Sequence, residues 1–177
     1  TLPEYLYSDS KLILEEIQAH RYSDWHSPFY RWFWGLWTRI LPGPEGITVF
    51  NIGWLWLACL AITLLLRRKL GWKAGLFLLV PILPGQLNLT GTVVIDTTMN
   101  VFFLAAVVCS LLAAGATRER LKLRYVVAST LCLTATVLIR SNSLFAILPL
   151  LAVNTGLIIP PACPSTGPLA PSNRNRL

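Results

Sequence analysis

Five polar side chains stand out in a mostly apolar chain because their types can do chemistry: Asp24, His26, Asp96, Arg140 and Asn142. Asp24 and His26 are close together in the stretch SDWHSP. A carboxylate there can act as a general base on an acceptor hydroxyl, and the imidazole can orient it or contact the substrate. The alternative is that Asp24 caps a turn and His26 is solvated. One His and one Asp do not make a metal site, so we predict none from this pair.

Asp96 and Arg140 lie at the edges of apolar segments, where a charge is costly unless it is solvated or paired. Asp96 can be catalytic, bind a divalent cation or cap the helix that follows, although Thr97 and Thr98 can cap that helix equally well. Arg140 can bind a lipid phosphate, whose oxygens match the forked guanidinium. The alternative for Arg140 is that it reaches up to ordinary lipid headgroups.

The composition indicates that much of the protein surface contacts lipid and not water. The chain has 177 residues, of which 54% are hydrophobic and 13% are charged. Soluble domains carry about 25% charged residues, and a fold of this size cannot hide so much apolar surface from water. The sequence therefore predicts an integral membrane protein with an all-α fold, a polytopic bundle of transmembrane helices.

Five apolar segments supply the predicted membrane helices. The first has no charge, and its 20 residues span about 30 Å of hydrocarbon at 1.5 Å per residue. Pro81 and Pro84 predict that the second is kinked or unwound at its outer end. A tail over residues 160–177, rich in Pro and Ser, is predicted to be disordered. The five segments are 47–66, 74–90, 99–116, 125–139 and 143–159.

Residues 1–46 predict an outward-facing loop with two short helices. The stretch DSKLILEEIQAHR at 9–21 has the spacing of an amphipathic helix. The stretch FYRWFWGLWTRIL at 29–41 is crowded with Trp, Phe, Tyr and Arg, which predicts a helix along the headgroup layer or oblique to it. Because the chain begins with polar residues, we expect a further membrane helix upstream and a longer protein.

The net charge of +7 comes largely from two basic clusters that flank apolar segments. Membrane topology places cations there, so we expect the lipid bilayer as a partner and no nucleic acid. The same rule predicts that both clusters are cytoplasmic and that residues 1–46, Asp96 and Arg140 face outward. The clusters are Arg67, Arg68, Lys69 and Lys73, and Arg118, Arg120, Lys122 and Arg124.

The order of these features resembles the GT-C superfamily of membrane glycosyltransferases over about residues 8 to 152. YSDWHSPFYRWFWGLW is similar to the family's first outward loop, with an acidic residue near a His-x-Pro element. VVIDTTMNVFFLAAV places Asp96 where the family has a second acidic residue before a helix. LTATVLIRSNSLFAILPL is similar to the short helix that ends in a basic residue within a turn.

The resemblance implies an enzyme that takes a sugar from a polyprenyl-phosphate carrier on the outer face of the bacterial inner membrane and builds cell-envelope glycan. Asp24 would activate the hydroxyl of a glycan or lipid acceptor, and His26 would contact substrate. Asp96 would assist or hold a divalent cation, Mg²⁺ or Mn²⁺. Arg140, with Asn142, would neutralise the lipid phosphate. No other cofactor is expected.

Two alternatives stay open. A transporter or flippase subunit would use polar residues in mid-span and broken helices. The mid-span positions look almost wholly apolar, and Pro81, Pro84 and Gly85 are the only hint of a break. A non-catalytic membrane assembly subunit is the other alternative, and it predicts that the outward acids are dispensable.

Overall fold

The computed structural model describes residues 5–6, 8–19, 21, 26–86, 92–93 and 95–159. Asp24, the end of the predicted segment 74–90 and the predicted disordered tail lie outside the described residues. Nearly every described residue is helical, which confirms the predicted all-α fold.

The helices follow one another with short connections, and each begins or ends within a few residues of its predicted limits. Two strands of two residues, β1 (Tyr5–Leu6) and β2 (Thr92–Val93), pair in parallel. The helices are α1 (Ser8–Gln18), α2 (Pro28–Thr38), α3 (Glu45–Leu70), a 3₁₀ helix (Gly71–Ile82), α4 (Ile95–Gly115), α5 (Glu119–Ile139), a 3₁₀ turn (Ser141–Ser143) and α6 (Leu144–Ile158).

Four helical segments in the described part of the chain are long and apolar enough to cross a membrane. The chain is therefore a multi-pass integral membrane protein, as predicted. The hydropathy of the sequence located these segments because hydrocarbon selects for apolar side chains on every face of a lone helix. The four segments are Glu45–Ile82, Ile95–Gly115, Glu119–Ile139 and Ser141–Ile158.

The second predicted segment, 74–90, differs from expectation because it is a 3₁₀ helix joined directly to α3. Gly71 ends α3 with a backbone φ of 59°, a conformation that favours glycine, and the chain turns there. The 3₁₀ helix then packs along α3, so that Val80 lies near Leu55. Pro81 within it lacks an amide donor and cannot support a regular α-helical ladder.

The contacts between helices show which ends lie together. Asn51 near the start of α3 bonds Thr98 near the start of α4, so these helices run in the same direction. Asp96 at the start of α4 contacts Arg140 at the end of α5, so α5 runs the opposite way. Both basic clusters, at the end of α3 and at the turn from α4 to α5, consequently lie at the end of the bundle opposite to Asp96 and Arg140.

The core at the Asp96 end is aromatic and is built around α2. Tyr30 and Trp34 are fully buried, together with Ile13 of α1, Ile47 of α3 and Ile139 of α5. Phe29, Phe33, Trp37, Phe50 and Phe102 pack against this core. The aromatic residues of α2 were expected to face the headgroup layer. Tyr30 and Trp34 lie instead in the protein interior, Phe29, Phe33 and Trp37 are half-buried against this core, and Trp32 is exposed.

Two glycines let α2 and α3 meet closely. Gly43 has a φ of 111° in the turn between the helices, which L side chains rarely adopt. Gly46 lies against the backbone of Trp37, and a Cβ there would come within 3.0 Å of the Trp37 carbonyl oxygen. The LPGPEG stretch thus forms a tight corner that seats the start of α3 on the end of α2.

A buried polar cluster joins three of the membrane-spanning helices. Ser110 of α4, Ser129 of α5 and Asn154 of α6 bond one another at 2.7 to 2.9 Å, and each is at most 4% exposed. The hydroxyl oxygens of both serines also lie 3.0 Å from the carbonyl oxygen of Ala106, which competes as an acceptor for their protons. The expectation that mid-span positions are almost wholly apolar is therefore wrong at this level of the bundle.

Candidate functional site

Asp96 and Arg140 form an ion pair at one end of the bundle. Asp96 lies in the first turn of α4, which begins at Ile95, and not in a loop before the helix as the sequence suggested. The Arg140 Nη1 donates to the Asp96 Oδ1. The two side chains are 41% and 47% exposed, so the pair is open to water or to a ligand. The carboxylate at the helix N-terminus also complements the helix dipole.

The backbone around Arg140 fixes this side chain at the end of α5. Arg140 is extended and its amide donates to Thr136, which completes the last turn of the helix. Its carbonyl oxygen accepts from both the amide and the hydroxyl of Ser143, at 3.1 and 2.7 Å. Asn142 is exposed in the same 3₁₀ turn. Its predicted role with Arg140 stays a prediction.

The start of α2 is attached to the end of α5 beside this pair. Ser27 caps α2, since its hydroxyl oxygen accepts from the amide of Tyr30 at 3.3 Å. The same hydroxyl donates to the carbonyl oxygen of Leu138, two residues before Arg140. Ser27 was not predicted from the sequence, although a serine before Pro28 at a helix start is a familiar capping signal.

His26 precedes this cap and is half-buried. Its Nδ1 is buried and has no hydrogen-bond partner among the described residues. An imidazole nitrogen in that state is available for a hydrogen bond with a group that enters the site. Through Ser27, His26 comes to the same end of the bundle as Asp96 and Arg140. The predicted base Asp24 lies outside the described residues.

A buried polar layer lies beneath the ion pair. The Asn51 amide donates to the Thr98 hydroxyl at 3.1 Å, and both residues are at most 2% exposed. The Tyr30 hydroxyl is near Thr98 without forming a well-aligned hydrogen bond to it. Burial raises the pKa of the Tyr30 phenol, and the Thr98 hydroxyl opposes only part of that shift. The Asn51–Thr98 bond ties α3 to the first turn of α4, on which Asp96 stands, and the Tyr30 hydroxyl of α2 lies beside this bond.

A cavity of about 330 Å³ opens between α3, the 3₁₀ helix and α4. Its polar part is lined by Gln86 and, near the start of α4 where Asp96 stands, by Thr97 and Asn100. Leu55, Val80, Val101, Phe103 and Leu104 line the rest. The cavity therefore joins a polar end near the ion pair to an apolar surface within the membrane-spanning region.

A second ion pair was not predicted. The Arg31 Nη1 donates to the Glu16 Oε2 at 2.9 Å, which joins α2 to α1. The Arg31 side chain is 2% exposed, so it does not reach the headgroup layer as expected, whereas Arg39 is exposed. The sequence offered one signal of this burial. Arg31 stands next to Tyr30, among the large apolar residues of α2.

The described residues around Asp96 and Arg140 do not fit a divalent cation. Within the described part of the chain, no three His, Cys, Asp or Glu side chains come together as metal ligands. The Asp96 carboxylate already bonds a cation, Arg140, and an additional positive ion there would be repelled.

The chain matches no protein-family model, no curated protein and no solved structure.

Proposed function

We propose that this chain is part of a membrane glycosyltransferase that uses a sugar linked to a polyprenyl phosphate. The acceptor is a glycan or lipid of the cell envelope, and the reaction takes place at the outer face of a bacterial inner membrane. The meeting of Asp96 and Arg140, which are 44 residues apart in sequence, is the observation that carries the proposal. It supplies an oriented guanidinium at the edge of the membrane-spanning region, where a lipid phosphate lies.

The chemistry follows from the charges. The acceptor hydroxyl oxygen forms a bond to the anomeric carbon while the bond from that carbon to the phosphate oxygen breaks. Both electrons of the broken bond stay on the phosphate, and Arg140 neutralises the charge that develops there. By the family resemblance, Asp24 takes the proton of the hydroxyl. Asp96 orients the guanidinium of Arg140 before the donor binds, and the phosphate then shares it.

The exposure of the ion pair supports a role in binding. Both side chains are more than one third exposed, so a phosphate reaches Arg140 without first unfolding any element. The cavity between α3, the 3₁₀ helix and α4 suits the lipid part of the donor, because apolar residues line most of this cavity and polar residues line one end of it. A polyprenyl chain and its phosphate have the same arrangement.

The test is transfer by the purified protein in vesicles that contain a panel of labelled polyprenyl-phosphate monosaccharides. The release of polyprenyl phosphate is the readout. We expect Arg140→Gln to slow release about 100-fold or more, because one charged donor to the leaving group is lost. Asp96→Asn should slow it less, because the guanidinium remains and only its orientation is lost.

Two matched variants control for charge and folding. Arg39→Gln removes an exposed cation from the turn after α2, and Glu15→Gln removes an exposed anion from α1. Both should release polyprenyl phosphate at the wild-type rate, and all variants should insert into membranes equally. A wild-type rate in Arg140→Gln would exclude the role proposed for this residue.

A flippase or transporter is the second candidate function, and one observation favours it. The 3₁₀ helix Gly71–Ile82 is a non-α-helical segment beside the cavity that Leu55 and Val80 line, and transporters bind substrate at such segments. Movement of a labelled lipid-linked sugar between leaflets, without release of polyprenyl phosphate from any donor of the panel, would favour this candidate over the enzyme.

A further inference from the structure

A groove lies at the basic end of the bundle, away from Asp96 and Arg140. It has a volume of about 240 Å³ and is formed by the start of α5 and the end of α6. Arg120 and Lys122 line its charged part, and Leu123, Val126 and Leu157 line its apolar part. Val126 is 3% exposed, so the apolar part reaches into the packed bundle.

The charge around the groove is strongly positive. Both basic clusters lie at this end of the molecule, and every residue of the two clusters except Lys122 is exposed. Glu119, in the first turn of α5, is the acidic residue that lines the groove. The N-terminus of α5 has no side-chain cap, and its free amides add a partial positive charge at the same place.

The apolar part identifies which anion fits. Leu123 is 55% exposed although it follows directly after Lys122, and Ile158 at the end of α6 is 54% exposed. A soluble anion would contact the two cations and leave these side chains uncovered. An anionic phospholipid has the complementary arrangement, with a phosphate at the headgroup level and an acyl chain directly beneath it.

We propose that this groove binds one anionic phospholipid of the leaflet at the basic end. Arg120 and Lys122 hold its phosphate, and one acyl chain covers Leu123, Val126 and Leu157. The site is independent of the proposed sugar transfer, since it uses none of the residues at the opposite end of the bundle. It gives the protein a preference for membranes that contain acidic lipid.

The test measures lipid binding to the purified protein by native mass spectrometry, with phosphatidylglycerol and phosphatidylcholine of identical acyl chains. We expect phosphatidylglycerol to bind more tightly. The double variant Arg120→Gln/Lys122→Gln should weaken its binding about 25-fold, roughly fivefold for each cation, and should leave the binding of phosphatidylcholine unchanged. Leu123→Gln should weaken the binding of both lipids, because it removes apolar contact and keeps the charge.

The matched control is Arg67→Gln/Arg68→Gln, which removes two exposed cations from the same end of the bundle but outside the groove. It should weaken phosphatidylglycerol binding by less than about threefold. An equal loss in the control and in the groove variant would overturn the proposal, because the attraction would then be that of the whole charged face.

Other occupants give different results, and each would contradict the proposal. Competition by glycerol phosphate at the concentration of the lipid would show that the groove takes a free anion. A large gain in lipid affinity when residues 160–177 are removed would show that this segment occupies the groove. Dissociation of a dimer by phosphatidylglycerol would show that a second copy of the chain covers it.

Discussion

Two arginine–carboxylate pairs between described residues join helices in this protein, and they differ in exposure. Glu16 and Arg31 pair between α1 and α2, where their side chains are 19% and 2% exposed. Asp96 and Arg140 pair between α4 and the end of α5, where both are more than 40% exposed. The chemistry of the two contacts is the same, so the difference in solvent access decides what each contact does.

In the buried pair, water cannot take the place of Glu16 at the Arg31 guanidinium, because the Arg31 side chain is only 2% exposed. Taking two charges out of water is costly, and loss of one partner leaves the other uncompensated. In the exposed pair, water and ions solvate both groups, so the contact adds little stability. The same solvation leaves Arg140 free to exchange its carboxylate for another anion. Under the proposed function, stability and ligand binding depend on different ion pairs of one bundle.

The largest effect is expected from breaking the buried pair. Glu16→Gln should lower the free energy of unfolding by about 3 kcal/mol, because the buried guanidinium of Arg31 loses its carboxylate. Reversible unfolding in detergent, followed by tryptophan fluorescence, measures this change. The neighbouring exposed residue provides the control, since Glu15→Gln should change the free energy by less than about 0.5 kcal/mol.

A double variant distinguishes the loss of a partner from the loss of a favourable contact. Glu16→Gln/Arg31→Met replaces the whole pair by a neutral and an apolar side chain, and it should recover most of the stability that Glu16→Gln loses. If the double variant unfolds as easily as the single variant, the uncompensated charge is not the cause.

The neutral cluster of Ser110, Ser129 and Asn154 separates burial from charge. It is as buried as Arg31 but carries no charge. Asn154→Leu should lower the free energy of unfolding by about 1 to 2 kcal/mol, less than Glu16→Gln, because hydrogen bonds between membrane helices contribute about that much. Thr155→Val, an exposed position that bonds its own helix at Leu151, should have a smaller effect. Equal effects in the two variants would contradict the role of the cluster.

The sequence predicts the spans of this fold because hydropathy is local. It underestimates helix length where charged residues continue a helix beyond the hydrocarbon. The fourth apolar segment was expected at 125–139, but α5 begins at Glu119, and its first turns carry Arg120 and Lys122. A charge sets the limit of an apolar run and not the limit of a helix.

The candidate site was only partly predictable for a different reason. Asp96 and Arg140 could be selected from sequence because a charge at the edge of an apolar segment is unusual. Their contact could not, since it depends on how α4 and α5 pack across 44 residues. The position of Arg31 was predicted wrongly because the composition of residues 29–41 suits a membrane surface. Its burial depends on Glu16, which α1 supplies.

The exposed pair should respond weakly when it is broken. A double-mutant cycle of Asp96→Asn and Arg140→Gln should give a coupling free energy below about 1 kcal/mol, because solvent screens both groups. Added salt should reduce this coupling further and should leave the coupling of Glu16 and Arg31 nearly unchanged. A coupling as large as that of the buried pair would remove the distinction between the two.

The smallest effect at neutral pH is expected at Tyr30, whose hydroxyl is buried without a partner among the described residues. Tyr30→Phe removes a buried polar group that no hydrogen bond satisfies, so it should not lower the free energy of unfolding at pH 7. The difference should emerge in alkali. Because burial raises the pKa of the folded Tyr30 phenol, the unfolded chain loses this proton first, near pH 10. Wild-type stability should therefore gain no pH dependence from Tyr30 below that value and should fall above it.

Unfolding measured from pH 8 to 11 should show a shallower decline in Tyr30→Phe, and an identical decline in both proteins would mean that the hydroxyl is solvated. In that case burial would not control the ionisation of Tyr30. The difference in burial would then not explain why the two ion pairs behave differently.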